Sequence, residues 1–378
     1  MAIKPKSGEA MEKSLLDAIE ASDVEGASRL LAKSISQGAD PWKVHLSLFP
    51  VAQRVLNPPF INPHLPKMYR ICRELAPYLA EGKISGLVTL EVTEYARRPK
   101  TGKIPRAVPL TAPVAFKDIE IGIRENDPGK VAVLMATFLD QKGGTEFARR
   151  VLLLGSGYLN NSLGHSLSCT AFILLEMLER ADQDPWPALS GLADYFCKGK
   201  FYITPGLKKS ISSSENQNLN RFMVRAVSGR GIANLHHPIT RYAIERVRNY
   251  LNQEEYDHMV SAWVEFMGDK REEEVDFNDV KPESMEGYDR FYQRFSKLDA
   301  KRVVASLREM ISTEESHHKI GRFLLQGLCD RYQGDYNPHY LTGLGSALWV
   351  MDQYRHQPAI AVNALFQYLD FFFSGLKS

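Results

Sequence analysis

Cysteine is scarce and scattered in this chain of 378 residues: Cys72, Cys169, Cys197 and Cys329 stand far apart, with no Cys-x-x-Cys pair. That spacing excludes a disulfide framework and a zinc ribbon, and it fits reduced thiols in a cytoplasmic protein. Charge of one sign is also missing. The 47 basic and 45 acidic residues leave a net charge of +2, so no global field singles out nucleic acid or a membrane surface as partner. No apolar run approaches the roughly 20 residues of a membrane span. The apolar segment from Ala359 to Phe373 carries Asn363, Gln367 and Asp370 and reads as a core helix. The polar stretch from Met1 to Lys13 lacks the apolar centre of a secretory signal. Phosphate-binding loops, dinucleotide glycine motifs and the His-Glu-x-x-His motif are absent. Gly155-Ser156-Gly157 falls within an apolar helical pattern with no strand before it, which excludes a nucleophile elbow.

Strand-like alternation is nearly absent as well, and what fills the chain is helical periodicity. Three segments share an acidic helix opening: Asp23 in LLDAIEASDVEGASRLL, Asp127 in IEIGIRENDPGKVAVL and Asp299 in RFSKLDAKRVVASL. An aspartate there caps free N–H groups and favours the positive end of the helix dipole. Each is followed, 38 to 41 residues later, by a histidine that opens an apolar helix: His64, His165 and His339. A fourth histidine-led helix begins at His236, behind a polar, turn-rich front half. The intervals between these histidines are 101, 71 and 103 residues.

Each unit has a helix before its histidine, at Trp42 to Val55, Thr145 to Leu159 and His318 to Tyr332 in the three complete cases. The closing helices are expected at Ile84 to Arg97, Trp186 to Lys198, Glu254 to Met267 and Ala359 to Phe373, from apolar steps of three and four residues. The pattern predicts an all-α protein of four degenerate helical-hairpin repeats, packed as a bundle or short superhelix. The outer intervals divide it into halves, 1–200 and 201–378, expected to pack as one body. Arg97 to Pro113, basic and broken by four prolines, reads as an extended linker. Gly206 to Asn218 has the composition of a loop able to cover a cavity, and Gly268 to Ser284 that of a charged connection.

The histidines carry the chemistry. Positions i+4, i+7, i+8 and i+11 from His64 are Met68, Ile71, Cys72 and Leu75, and the other three helices repeat this placement. Each histidine therefore starts the buried stripe of its helix. His237 lies about 100° further round, so His236 is the choice and His237 the fallback. A buried imidazole needs partners for both ring nitrogens, and a metal with an outer hydrogen bond supplies them. If the units converge, His64, His165, His236 and His339 form a metal site suited to iron, zinc or copper, or a facing pair ligates haem iron. Otherwise, the repeats have inherited a residue useful at a helix start. Small neighbours (Ser166, Ser168, Cys169, Gly343, Gly345, Ser346) leave room for a non-protein group. Tyr95, Tyr158, Tyr340 and Cys169 are candidates for lining a pocket. Glu314 and Glu315, each three residues ahead of a histidine in TEESHH, read as a charged helix start. Glu91 and Glu94 are expected on the surface, His45 on a surface or groove, and His258 and His356 exposed.

The segment GHSLSCTAFILLEMLE (Gly164 to Glu179), with HHPITRYAIE (His236 to Glu245), resembles the helical, histidine-bearing proteins of the questin oxidase-like group. The likeness covers the histidine-helix portions only, while the linkers and the first unit depart from it. It implies an all-α fold, oxygen-dependent chemistry of the kind that group performs on aromatic polyketides, and site roles for His165 and His236 or His237. The sequence thus points to an iron-dependent oxidoreductase, non-haem or haem, acting on a hydrophobic small molecule. The alternative is a non-enzymatic helical scaffold or adaptor that binds a protein or peptide partner.

Overall fold

The computed structural model describes residues 7–79, 83–180, 182–207, 219–269, 275–284, 293–295, 298–311, 314–332, 334 and 337–376. Among them are eighteen α-helices and no strand, so the chain is all-α. No described helix is long and apolar enough to cross a membrane. The chain divides into two compact units. The first comprises 1–155, 169–204 and 332–336, and the second 156–168, 205–331 and 337–378.

The first unit holds α1 (Ser7–Glu20), α2 (Val24–Ser36), α3 (Pro41–Ser47), α4 (Phe49–Ala52), α5 (His64–Leu75), α6 (Ile84–Arg97), α7 (Phe116–Glu125) and most of α8 (Pro128–Ser156). Asp23 caps α2 as the sequence predicts, its carboxylate accepting from Gly26 N–H at 2.8 Å. Asp127 does the same for α8 through Lys130 N–H at 2.9 Å. Helix α6 packs on α1, α2, α3 and α5. The expected helix from Trp42 to Val55 is split, because Pro50 has no N–H to give to the carbonyl of Leu46. That carbonyl instead accepts from Gln183 Nε2 at 3.2 Å and Tyr69 Oη at 3.4 Å. Residues 98–115 form no regular element, as expected of the proline-rich linker. Trp186 Nε1 ties the linker down by donating to the Ile104 carbonyl at 3.0 Å.

Helix α9 (Leu159–Ser162) belongs to the second unit, and α10 (His165–Glu179) starts there before its turns from Cys169 onward pass into the first. In that later stretch Glu176, buried, accepts from Arg70 at 3.3 Å and Arg73 at 3.0 Å on α5. Helix α11 (Trp186–Gly199) packs on α4 and α7.

The second unit continues through α12 (Leu219–Ala226), α13 (Gly231–Arg246), α14 (Gln253–Met267), α15 (Ala300–Leu307), α16 (Glu314–Arg331), α17 (His339–Gln353) and α18 (Pro358–Leu376). Asp299 caps α15 through Arg302 N–H at 2.8 Å. Helices α13, α17 and α18 pack on one another, with α12, α14, α15 and α16 around them. Gly343 on α17 sits where a Cβ would come within 3.0 Å of Leu235 and 3.2 Å of Tyr368. This small residue serves close helix packing and does not make room for a ligand, contrary to the sequence expectation. The Gly206 to Asn218 loop lies outside the described residues from 208 on, as do 270–274 of the charged connection.

Candidate metal centre

Three of the repeat histidines meet within the second unit. The Nε2 atoms of His165 and His236 are 3.1 Å apart, those of His236 and His339 3.0 Å, and those of His165 and His339 3.4 Å. All three residues are buried, at 4, 2 and 5% exposure in chain order. Their rings stand at 66 to 75° to one another with centroids 4.5 to 5.6 Å apart. His165 and His339 belong to a buried group of histidines that could hold a metal ion, and the His236 Nε2 stands within 3.1 Å of both.

What aims these nitrogens is the other edge of each ring. His165 Nδ1 donates to the Ser162 carbonyl at 2.6 Å, and His236 Nδ1 to the Ile232 carbonyl at 2.7 Å. His339 Nδ1 donates to Asn337 Oδ1 at 2.8 Å, and the same oxygen takes the His339 backbone N–H at 3.0 Å. Carbonyl oxygens only accept, so each Nδ1 carries a hydrogen, and in the neutral form of each ring the Nε2 lone pair points inward. Three lone pairs held this close repel one another unless a cation lies among them. A proton bridges only two nitrogens; a metal ion serves all three.

The dimensions fit. The three separations, 3.0 to 3.4 Å, are short enough for His165, His236 and His339 to hold a single ion through their Nε2 atoms.

Local backbone explains how α10 delivers its histidine. Leu163 and Gly164 both take left-handed conformations, φ 54° and 77°, and turn the chain so that His165 reaches back to Ser162. Gly164 also lies so close to Thr240 Oγ1 on α13 that no side chain fits between them. His339 opens α17 behind Asn337-Pro338 as the sequence predicts, but His236 does not open its helix. It is the sixth residue of α13, where its own helix supplies the anchoring carbonyl four residues back. His237 lies outside the triad, and its ring meets Phe266 at 5.0 Å.

His64 belongs to the first unit, buried as the first residue of α5, with its N–H donating to the Asn62 carbonyl at 2.8 Å. Of the suggested pocket residues, Tyr340 is buried against Phe371 and Phe372, Tyr158 is half-buried ahead of α9, and Cys169 is buried on α10. Tyr95, wholly buried in the first unit, donates to Glu91 Oε1 at 3.0 Å. The side chains of Glu314 and Glu315 lie outside the described residues.

Several expected surface residues are interior. Glu91 and Glu94 are buried on α6, each satisfied by hydrogen bonds: Glu91 by His45 and Tyr95, Glu94 by Arg98 and Tyr332. His45 is buried against Glu91, and His258 is buried with Nε2 3.1 Å from Ser156 Oγ. His356 is exposed, as expected. Lys67 is the residue the sequence reading passed over: it is fully buried on α5, and its Nζ meets no hydrogen-bond partner among the described residues. Burial pulls its pKa below the ordinary lysine value of 10.5. Its place three residues after His64, on the same helix face, was the available signal.

No protein-family model matches the chain, and neither does any curated protein or solved structure.

Proposed function

We propose that the protein is a metal-dependent oxidoreductase in which His165, His236 and His339 hold a single non-haem ion, iron in the first instance, and that it acts on a hydrophobic small molecule. The observation carrying this reading is the inward convergence of three Nε2 lone pairs whose orientation is fixed by carbonyl acceptors on the far side of each ring. Haem is a poorer fit than a lone ion, because three Nε2 atoms 3.0 to 3.4 Å apart leave no room among them for a macrocycle.

A bound redox metal with open positions would supply oxygen activation and substrate orientation. The chain's own part is to keep three neutral imidazoles in one tautomer and to surround them with apolar side chains. Phe371, 6.3 Å from the His339 ring, and Phe266 beside His237 belong to that shell. The resemblance to the questin oxidase-like group supports the oxidative assignment by analogy only.

The test is metal analysis of purified protein and of protein reconstituted anaerobically with Fe(II), followed by oxygen uptake with a panel of apolar aromatic compounds. The expected result is near one ion per chain, lost in His165→Ala, His236→Ala and His339→Ala with helicity retained, and kept in His237→Ala. Metal-free protein whose stability ignores Fe(II) and chelators would overturn the reading and leave the helical scaffold or adaptor.

A further inference from the structure

Three buried side chains in the first unit form a chain of hydrogen bonds that the metal site does not use. Tyr95 and Glu91 lie one turn apart on α6, with Tyr95 Oη donating to Glu91 Oε1 at 3.0 Å. The other carboxylate oxygen, Oε2, accepts from His45 Nδ1 on α3 at 2.7 Å. Tyr95 and Glu91 are wholly buried, and His45 is 1% exposed. The His45 ring is stacked between Trp42, at 4.7 Å and 17°, and Tyr69, at 4.3 Å and 10°. Trp42 is half-buried, so this row of rings runs from the surface to the interior. His45 Nε2, also buried, meets no hydrogen-bond partner among the described residues.

A purely architectural histidine saturates both nitrogens, and leaving one buried and unmatched is destabilising. What the cluster gains is proton mobility. Burial, then the charge of Glu91, push the Tyr95 hydroxyl well above the usual tyrosine range, so the phenol keeps its proton at neutral pH. Removing an electron from a protonated phenol in an apolar interior is unfavourable unless the proton leaves with it. Tyr95 has a carboxylate placed to take that proton. Tyr69, at the inner end of the row, meets the Leu46 carbonyl at 3.4 Å and no carboxylate among the described residues, and a carbonyl is a poor base.

We propose that Tyr95, with Glu91 and His45, is a redox-active tyrosine that gives up an electron and a proton together. The electron passes by way of the hydrogen-bonded Glu91–His45 link and the stacked Trp42 ring to a one-electron oxidant of the outer-sphere metal-complex class at the Trp42 surface, which is reduced by one electron. The Tyr95 O–H bond breaks, an O–H bond forms on Glu91 Oε1, and Tyr95 becomes a neutral radical. His45 is a positioning residue that fixes the carboxylate from its far oxygen. The inference is independent of the metal reading.

The experiment uses the full chain, metal-free, with photogenerated tris(bipyridine)ruthenium(III), transient absorption and freeze-quench electron paramagnetic resonance. The expected result is a tyrosyl radical that forms more slowly in deuterated water. It is lost in Tyr95→Phe, kept in Tyr69→Phe and delayed in Trp42→Phe. Glu91→Gln, which keeps the shape and removes the base, abolishes the radical, and His45→Gln weakens the solvent isotope effect. A tyrosyl signal unchanged in Tyr95→Phe overturns the proposal. So does a radical that forms in Glu91→Gln at the wild-type rate and isotope effect, a comparison that decides the matter even if Tyr95→Phe fails to fold.

Discussion

Replacing Gly164 by alanine tests what holds the histidine triad in register. Gly164, at φ 77°, is the second of two left-handed residues that let His165 reach the Ser162 carbonyl. A side chain in that conformation costs about 1–2 kcal/mol by itself. The new Cβ would also collide with Thr240 Oγ1, one turn beyond His236, and stand 3.2 Å from Phe266 Cε1. Overpacking of this kind costs roughly a further 1–3 kcal/mol. The expected loss is therefore about 2–5 kcal/mol in the stability of the second unit. The head of α10 must also move away from α13, which widens the 3.1 Å His165–His236 separation and lowers metal retention. Thr240→Ala removes the colliding oxygen. The double variant should recover the steric part and keep the conformational part, a coupling of about 1–3 kcal/mol between neighbouring sites. Urea midpoints and metal content per chain read both effects. A Gly164→Ala protein with the wild-type midpoint and full metal would refute the claim that this contact sets the triad.

The remaining predictions concern buried titratable groups and the second helix cap. The pKa of Lys67 is depressed in the fold, so the unfolded chain binds more protons between that lowered value and 10.5, and stability rises with pH across the interval. Lys67→Met should flatten this slope and raise the urea midpoint at pH 7; parallel pH profiles for the two proteins would contradict it. Burial pushes the Cys197 thiol up to about 12, so iodoacetamide at pH 8 should label it only after unfolding, as peptide mass mapping would show. Asp127→Ala removes the acceptor for Lys130 N–H at the start of α8 and should cost about 1 kcal/mol, while Asp127→Asn should cost little.

The helices were legible wherever a local rule acts alone. The closing helix expected from Ile84 to Arg97 has those bounds in the structure, and the one expected from Glu254 to Met267 starts a residue earlier, at Gln253. Both rest on apolar periodicity and end signals carried within the segment itself. The single helix expected from Trp42 to Val55 breaks because Pro50, inside an otherwise helical apolar pattern, has no N–H to donate. The helix expected from Thr145 to Leu159 is the part of α8 that follows the break at Gly143, where φ is 81°, and it ends at Ser156.

The site was half legible, and the divide follows sequence distance. That each repeat histidine is interior came from helix spacing, a local property. The surface expectations for Glu91, Glu94, His45 and His258 failed because a charged or polar residue goes inside only when a partner waits there. Those partners lie 46 residues apart for His45 and Glu91, 238 for Glu94 and Tyr332, and 102 for His258 and Ser156. No periodicity encodes such pairings. The same reasoning explains why His236 was preferred to His237 without its anchor being foreseen. Helical phase separates two adjacent rings by about 100°. Yet the bond that fixes the tautomer is made by Ile232, inside a helix whose start was placed five residues too late. A histidine inside a helix can use the carbonyl four residues back as its outer hydrogen bond, whereas one at a helix start must borrow from the preceding loop. The Ser162 and Asn337 acceptors are that loop solution, and they place the demand for unusual backbone just before His165, at Leu163 and Gly164.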